Sequence, residues 1–170
     1  MTSNIIKKLK SALPFITALL ICVITIILIN NYVIATAIVV GDSMNPTFSS
    51  GNIILINKLT NHYNRFDIVL IELPEEIIIK RIIGTPGDTV HIRNGQVFIN
   101  EEALDDVITE YIDFSGLATI RVRLGEGEYF VLGDNRSNSK DSRYPEVGIV
   151  KEEQIIARAM LSIVPPKMIK

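Results

Sequence analysis

The chain has 170 residues, with 17 Lys and Arg against 19 Asp and Glu, for a formal charge of −2. That length suits one domain plus an anchor or a small appendage, and the charge balance gives no electrostatic case for a nucleic-acid partner, which usually calls for a basic face. The single cysteine, Cys22, rules out an intrachain disulfide and any cluster of thiol ligands, and two histidines, His62 and His91, do not by themselves make a zinc site.

In chain order, the first element is an apolar run. Lys7, Lys8 and Lys10 precede it, and no charged side chain occurs between Lys10 and Asp42. A helix needs about 20 mostly apolar residues to span the hydrocarbon of a bilayer. Residues 13–34 supply them and predict a transmembrane helix, with Asn30 and Asn31 marking its outer edge. The lysines lie on one side only, so the positive-inside rule places residues 1–12 in the cytoplasm and residues 35–170 outside, in a single-pass protein of the cell membrane. Ala35-Thr36-Ala37 also has the small-x-small form of a secretory cleavage site, but the apolar run exceeds the roughly 7–15 residues of a signal core.

Beyond Val39 the pattern is one of short strands. "NIILINKL", "DIVLIEL" and "EIIIKRIIG" are β-branched runs bounded by turn residues. "DTVHIRNGQVFIN" reads as a hairpin, because Asn94-Gly95 accepts the positive φ angles of a type I′ turn and apolar residues alternate on both sides. "TIRVRLGEGEYFVLGDN" predicts another strand pair around Gly125 and Gly127. "EEQIIARAMLSIVPP" predicts a last strand, or a short helical turn and then a strand, ended by Pro165-Pro166. The most polar stretch, "NEEALDDVITEYIDFSG", has the character of an exposed insertion. The fold class expected is all-β, a coiled or barrel-like antiparallel arrangement after one transmembrane helix.

Three segments carry candidate chemistry. "GDSMNPT" places Ser43 just beyond the apolar run, but a serine needs a base to react. Neither histidine has a distinctive setting: His62 falls in the polar stretch "NHYNRF" and His91 in an alternating strand. A desolvated lysine can serve instead. Lys80, in "IIIKRIIG", shares a strand face with Ile78 and Ile82, while Arg81 points to the face of Ile79 and Ile83. The alternative for Lys80 is an edge-strand lysine that blocks pairing. The third segment, "GDNRSNSKDSRY", contains Asp134, Arg136, Asp141 and Arg143, which could form a salt-bridge network that fixes the loop.

Taken together and in order, "GDSMNPT", "GNIILINKL", "FDIVLIELPEEIIIKRIIGTPGD" and "GDNRSNSKDSR" resemble the boxes of the type I signal peptidases, most closely the short Gram-positive form with one N-terminal anchor. The resemblance covers nearly the whole chain. It implies an all-β Ser-Lys protease that hydrolyses the bond joining a signal peptide to an exported preprotein at the lipid bilayer, with neither metal nor cofactor. Ser43 matches the nucleophile, Lys80 the general base and Ser139 the position whose hydroxyl orients the lysine. Asp134, Arg136, Asp141 and Arg143 match positions that hold the site together. Three departures stand out. Gly41 lacks the hydroxyl that the Gram-negative branch offers the oxyanion, which leaves backbone N–H groups, chiefly that of Ser43. Ser137 and Asn52 replace residues that are commonly acidic. The segment from Lys80 to Gly133 is short, which implies a reduced second subdomain at about 88–132. Two rival readings are a self-cleaving repressor with the same dyad, for which a DNA-binding domain is missing, and a membrane-tethered binding module, which gives no reason for Ser43 and Lys80 to occur together.

Overall fold

The computed structural model describes the backbone of residues 2–168, with side chains described from 12 to 28 and from 33 to 168. An N-terminal helix, α1 (Thr2–Tyr32), runs into twelve short strands. Lys7, Lys8, Lys10, Asn30 and Asn31, expected to set the helix in a bilayer, lie outside the residues whose side chains are described. Among the described residues no helix is long and apolar enough to cross a membrane. Leu13, Phe15, Leu19, Leu20, Ile24 and Ile26 of α1 are all exposed.

The strands form two sheets. The larger contains β1 (Ile34–Ile38), β2 (Ile53–Asn57), β11 (Ile155–Val164), β3 (Ile68–Glu72), β4 (Ile77–Gly84), β9 (Glu128–Leu132) and β10 (Val150–Lys151) in that order, with β12 (Lys167–Met168) added to β11. The smaller has the order β7 (Glu102–Ala103), β6 (Gln96–Ile99), β5 (Thr89–Arg93) and β8 (Val122–Arg123). The chain is therefore mostly antiparallel β with one N-terminal helix, as its β-branched runs imply. The hydrogen-bonded path of the large sheet has two ends, β1 and β10, so it is an open sheet and not the closed form a barrel would require.

The β5–β6 hairpin turns at Asn94 and Gly95, with φ of 49° and 74°, the left-handed pair that a type I′ turn demands. Ala35, Thr36 and Ala37 sit inside β1, paired with Ile56, Leu55 and Ile54, so a cut there would take a strand from the sheet. The strand pair expected around Gly125 and Gly127 is not a hairpin. β8 pairs with β5 and β9 with β4, and the turn between them carries the chain from the small sheet to the large one. The smaller sheet consequently ends at Arg123, and residues 128–132, expected within the inserted subdomain, belong to the large sheet.

β4 is buried on both faces from Lys80 onward, because it lies inside the sheet between β3 and β9. Three apolar clusters hold the domain. One gathers Val69, Ile71, Ile78, Ile82 and Val131. A second packs Met44, Phe48, Ile54, Ile68 and Leu70 under the segment after β1. A third joins the two sheets through Ile83, Val90, Leu124 and Phe130. Gly84 ends β4 at that joint, where a Cβ would lie 2.5 Å from Val90 Cγ2 and 2.7 Å from Leu124 Cδ1. Overpacking of a closed core costs about 1–3 kcal/mol, more than the roughly 0.4–1 kcal/mol an alanine gains by restricting the unfolded chain. Gly84→Ala is expected to destabilise the domain by about 1–3 kcal/mol in urea unfolding followed by circular dichroism. An unchanged midpoint would mean that the joint has slack.

Candidate active site

The turn that follows β1 is anchored by its own apolar residues. Met44 and Phe48 are each 1% exposed, and the Phe48 N–H donates to the Met44 carbonyl at 2.8 Å. Burying these two fixes the backbone of Ser43, which is itself only half-buried. A second segment grips the same backbone. The Asn135 N–H donates to the Ser43 carbonyl at 3.0 Å, and Asn135 Nδ2 donates to the Asp42 carbonyl at 3.1 Å.

Lys80 meets Ser43 from β4. Its Nζ lies 2.9 Å from Ser43 Oγ and 2.9 Å from the Ile79 carbonyl oxygen. Because β4 is an interior strand, the edge-lysine alternative does not apply. Lys80 is 3% exposed, and burial holds its pKa below the ordinary lysine value. Asp141, Glu76 and Asp134 pull it back up and Arg143 pushes it further down, but the loss of water dominates.

The loop 133–143 closes the site. Its ionic network differs from the one expected. Among the described residues, the ion pair within the loop is Asp141 with Arg143, through Nε–Oδ1 and Nη2–Oδ2 contacts of 2.8 and 2.9 Å. Asp134 instead receives both arms of Arg81, at 2.8 and 2.7 Å. Arg136 Nη1 pairs with Asp106 at 2.8 Å, and its Nε donates to the Gly133 carbonyl. The reason is geometric: β4 brings Arg81 beneath Asp134, and the segment after β7 brings Asp106 to Arg136. The Gly133 N–H donates to Asp141 Oδ2 at 2.9 Å. A Cβ on Gly133 would collide with the Ser139 side chain and lie 2.6 Å from the Ser43 carbonyl oxygen, so only glycine admits this approach.

Ser139, matched to the position that orients the lysine, lies beside Gly133. It is 8% exposed and its Oγ has no hydrogen-bond partner among the described residues. It packs against Gly133, while the Lys80 amine engages Ser43 and Ile79. Gly41 has a φ of +85°, which suits glycine, and its N–H lies 3.4 Å from Ser50 Oγ. Of the residues that replace commonly acidic ones, Ser137 donates to Glu110, and Asn52 Oδ1 accepts the Ser49 N–H in the turn after Ser43. His62 is exposed, and His91 Nε2 lies 3.1 Å from the Thr119 carbonyl; neither bonds to Ser43 or Lys80.

Three contributors were not anticipated. Arg81 is 1% exposed and ties Asp134, the Phe66 carbonyl and Thr47 Oγ1 together. Its signal was present, since an arginine inside an isoleucine run must find an acid when buried. Asp106 and Glu110 come from the stretch read as an exposed insertion. Ser43 and Lys80 lie at one cleft of about 400 Å³, with Ala37, Val39, Leu70, Ile77 and Ile79 along it and Glu76 and Lys140 adding charge. A larger hollow of about 690 Å³ near Tyr63 and Glu152 is lined by neither Ser43 nor Lys80. Among the described residues no group of His, Cys, Asp and Glu is arranged to hold a metal ion. The arrangement can do nucleophilic chemistry on an extended chain: a hydroxyl, a buried amine in contact with it, and an apolar cleft beside both.

Residues 12–164 match the family model described as signal peptidase, peptidase S26. Signal peptidase I S of Bacillus subtilis (strain 168) is 34% identical over 184 aligned positions, covering 97% of this chain and 96% of that protein. Signal peptidase I of Bacillus amyloliquefaciens is 33% identical, covering 94% and 91%. A crystal structure of a signal peptidase I from Enterococcus faecalis V583 is 33% identical, with a TM-score of 0.45 over 55% of this chain and 93% of that one. On the family match and the near full-length identity to these relatives, the chain belongs to the peptidase S26 family of signal peptidases, serine-peptidase hydrolases of the signal peptidase I kind.

Proposed function

We propose that the protein is a membrane-anchored endopeptidase that removes N-terminal signal peptides from exported preproteins, with Ser43 as nucleophile and neutral Lys80 as general base. The observation that carries this reading is the 2.9 Å contact between Ser43 Oγ and a nearly waterless Lys80 Nζ at the apolar cleft.

The steps follow from that contact. Neutral Lys80 accepts the Ser43 hydroxyl proton as Oγ attacks the scissile carbonyl. The tetrahedral oxygen takes a hydrogen bond from the Ser43 N–H; one such donor is worth about 3–4 kcal/mol of barrier. The ammonium then gives its proton to the leaving amine, and the signal peptide remains as an ester on Ser43. Water, deprotonated by Lys80, releases it. Asp141, Glu76 and Asp134 favour the transient ammonium, while burial favours the neutral amine at rest. Asp134, Arg136, Asp141 and Arg143 support the loop. Ser139 orients Lys80 when its free hydroxyl rotates toward the amine. The exposed apolar side chains of α1 embed it in the bilayer, with the lysine-bearing end in the cytoplasm and the β domain outside.

Lys80→Arg and Lys80→Ala should each lose about 10³-fold in activity or more, because removing one member of a concerted unit removes nearly all of its effect. Arginine keeps the charge but cannot deprotonate. His62→Ala and His91→Ala should stay within a few-fold of the parent (roughly 3-fold), since neither acts as the base. The sign of the pH dependence is fixed: the neutral fraction of Lys80 grows as pH rises through its lowered pKa, so kcat/KM climbs and levels off below the ordinary 10.5. A dead histidine variant beside an active Lys80→Arg, measured on one preprotein, would overturn the dyad.

Ser139→Ala separates two roles. If the hydroxyl aims Lys80, turnover falls about 10- to 100-fold, while thermal stability holds or rises because a buried hydroxyl without a partner is removed. An unchanged rate would take Ser139 out of the site. The membrane assignment has its own test. Protease added outside intact cells should remove the chain beyond Asn31, and full protection of that part would reverse the topology.

A further inference from the structure

The stretch between β7 and β8 looks like surface chain, yet it is fastened at both ends. The Leu104 N–H donates to the Val97 carbonyl at 2.9 Å, and the Ile112 N–H donates to the Gly95 carbonyl at 3.0 Å. Ile112 is 2% exposed in the cluster that joins the sheets. Between these fastenings the Glu110 carboxylate reaches the loop 133–143. Its Oε2 accepts the Arg136 N–H at 2.8 Å and its Oε1 accepts Ser137 Oγ–H at 2.9 Å.

From there the contacts lead to the nucleophile. Asn135 Oδ1 lies 3.2 Å from Ser137 Oγ and accepts the Asn138 N–H at 3.2 Å. Asn135 then donates from its backbone N–H to the Ser43 carbonyl and from Nδ2 to the Asp42 carbonyl. The second contact matters most. The Asp42 carbonyl and the Ser43 N–H belong to one planar peptide unit. Whatever fixes one fixes the direction of the other, and the Ser43 N–H is the donor assigned to the oxyanion.

We propose that Glu110 is a positioning residue of this enzyme: it holds residues 135–137 against the turn at Ser43 and so sets the peptide plane that presents the oxyanion donor. The proposal rests on the reading of Ser43 as nucleophile. The carboxylate is exposed and touches neither Lys80 nor the cleft lining, so its effect falls on transition-state stabilisation and not on substrate affinity.

The test uses the full-length protein in detergent with a preprotein substrate, each variant checked for native circular dichroism. Glu110→Ala removes both acceptors and should lower kcat about 10-fold with KM within about 2-fold, the scale of one charge-assisted hydrogen bond at an exposed site. Glu110→Gln keeps one acceptor and should lose about 3-fold. Ser137→Asp sets a second carboxylate against Glu110 and should lower kcat about 10-fold by like-charge repulsion. Combining Ser137→Asp with Glu110→Gln replaces that repulsion with an amide donor, and kcat should return to within about 3-fold of the parent, a coupling that a general loss of stability would not produce. The proposal is overturned if Glu110→Ala leaves kcat within about 2-fold, or if Ser137→Asp costs the same in both backgrounds. Ser43→Ala, run alongside, separates the two ideas. If it retains activity, the nucleophile reading fails and Glu110 falls with it; if it is dead while the Glu110 variants are unaffected, only the role of Glu110 fails.

Discussion

Everything in this molecule depends on keeping one amine out of water. An ordinary surface lysine is charged at neutral pH and useless as a base. At Lys80 burial works against that charge, because β4 is an interior strand, flanked by β3 and β9 and met by the turn at Ser43. The sheet therefore acts as a desolvating wall as well as a scaffold. Asp141, Glu76 and Asp134 oppose part of that effect by favouring the charged amine, but burial outweighs them and the pKa stays lowered.

The acids that serve the amine are themselves restrained. Asp134 is clasped by Arg81, and Asp141 by Arg143, each through two contacts and each almost fully buried. Breaking one partner of such a pair costs about 3–5 kcal/mol, because it strands a buried charge. That cost opposes any movement of the loop that would separate either pair. It also accounts for Phe66, a bulky residue at φ 74°, whose carbonyl accepts from Arg81 and whose N–H donates to Ile82. Such left-handed positions cost about 1–3 kcal/mol and persist only when their surroundings over-determine them.

Much of this was legible in the residues. The isoleucine runs gave strands, Asn94-Gly95 gave its hairpin, and the pairing of Ser43 with Lys80 followed from the resemblance of four ordered segments. What the sequence could not carry was long-range choice. β8 and β9 are separated by four residues that look like a hairpin turn, yet β8 takes the edge beside β5 and β9 lies between β4 and β10. Asp134 and Arg136 sit two apart in the same loop and still pair with Arg81 and Asp106, since buried geometry outweighs proximity along the chain. Glu110 was hidden for a related reason: polarity marked its stretch as surface, and polarity does not reveal that one exposed carboxylate bonds the loop at Arg136 and Ser137. Ser139 was singled out by residue matching alone, and its Oγ makes no hydrogen bond among the described residues.

The joint between α1 and β1 has a consequence of its own. Only Val33 separates the helix from the first strand, and its carbonyl accepts the Lys58 N–H at 2.9 Å, so the joint is stitched into the sheet. One residue inserted at the start of β1 that slid the strand against β2 by a single step would turn its side chains to the opposite face. Ala37 and Val39, which line the cleft, would leave it. The height of the cleft above the helix end is thus set by the register of a single strand pair.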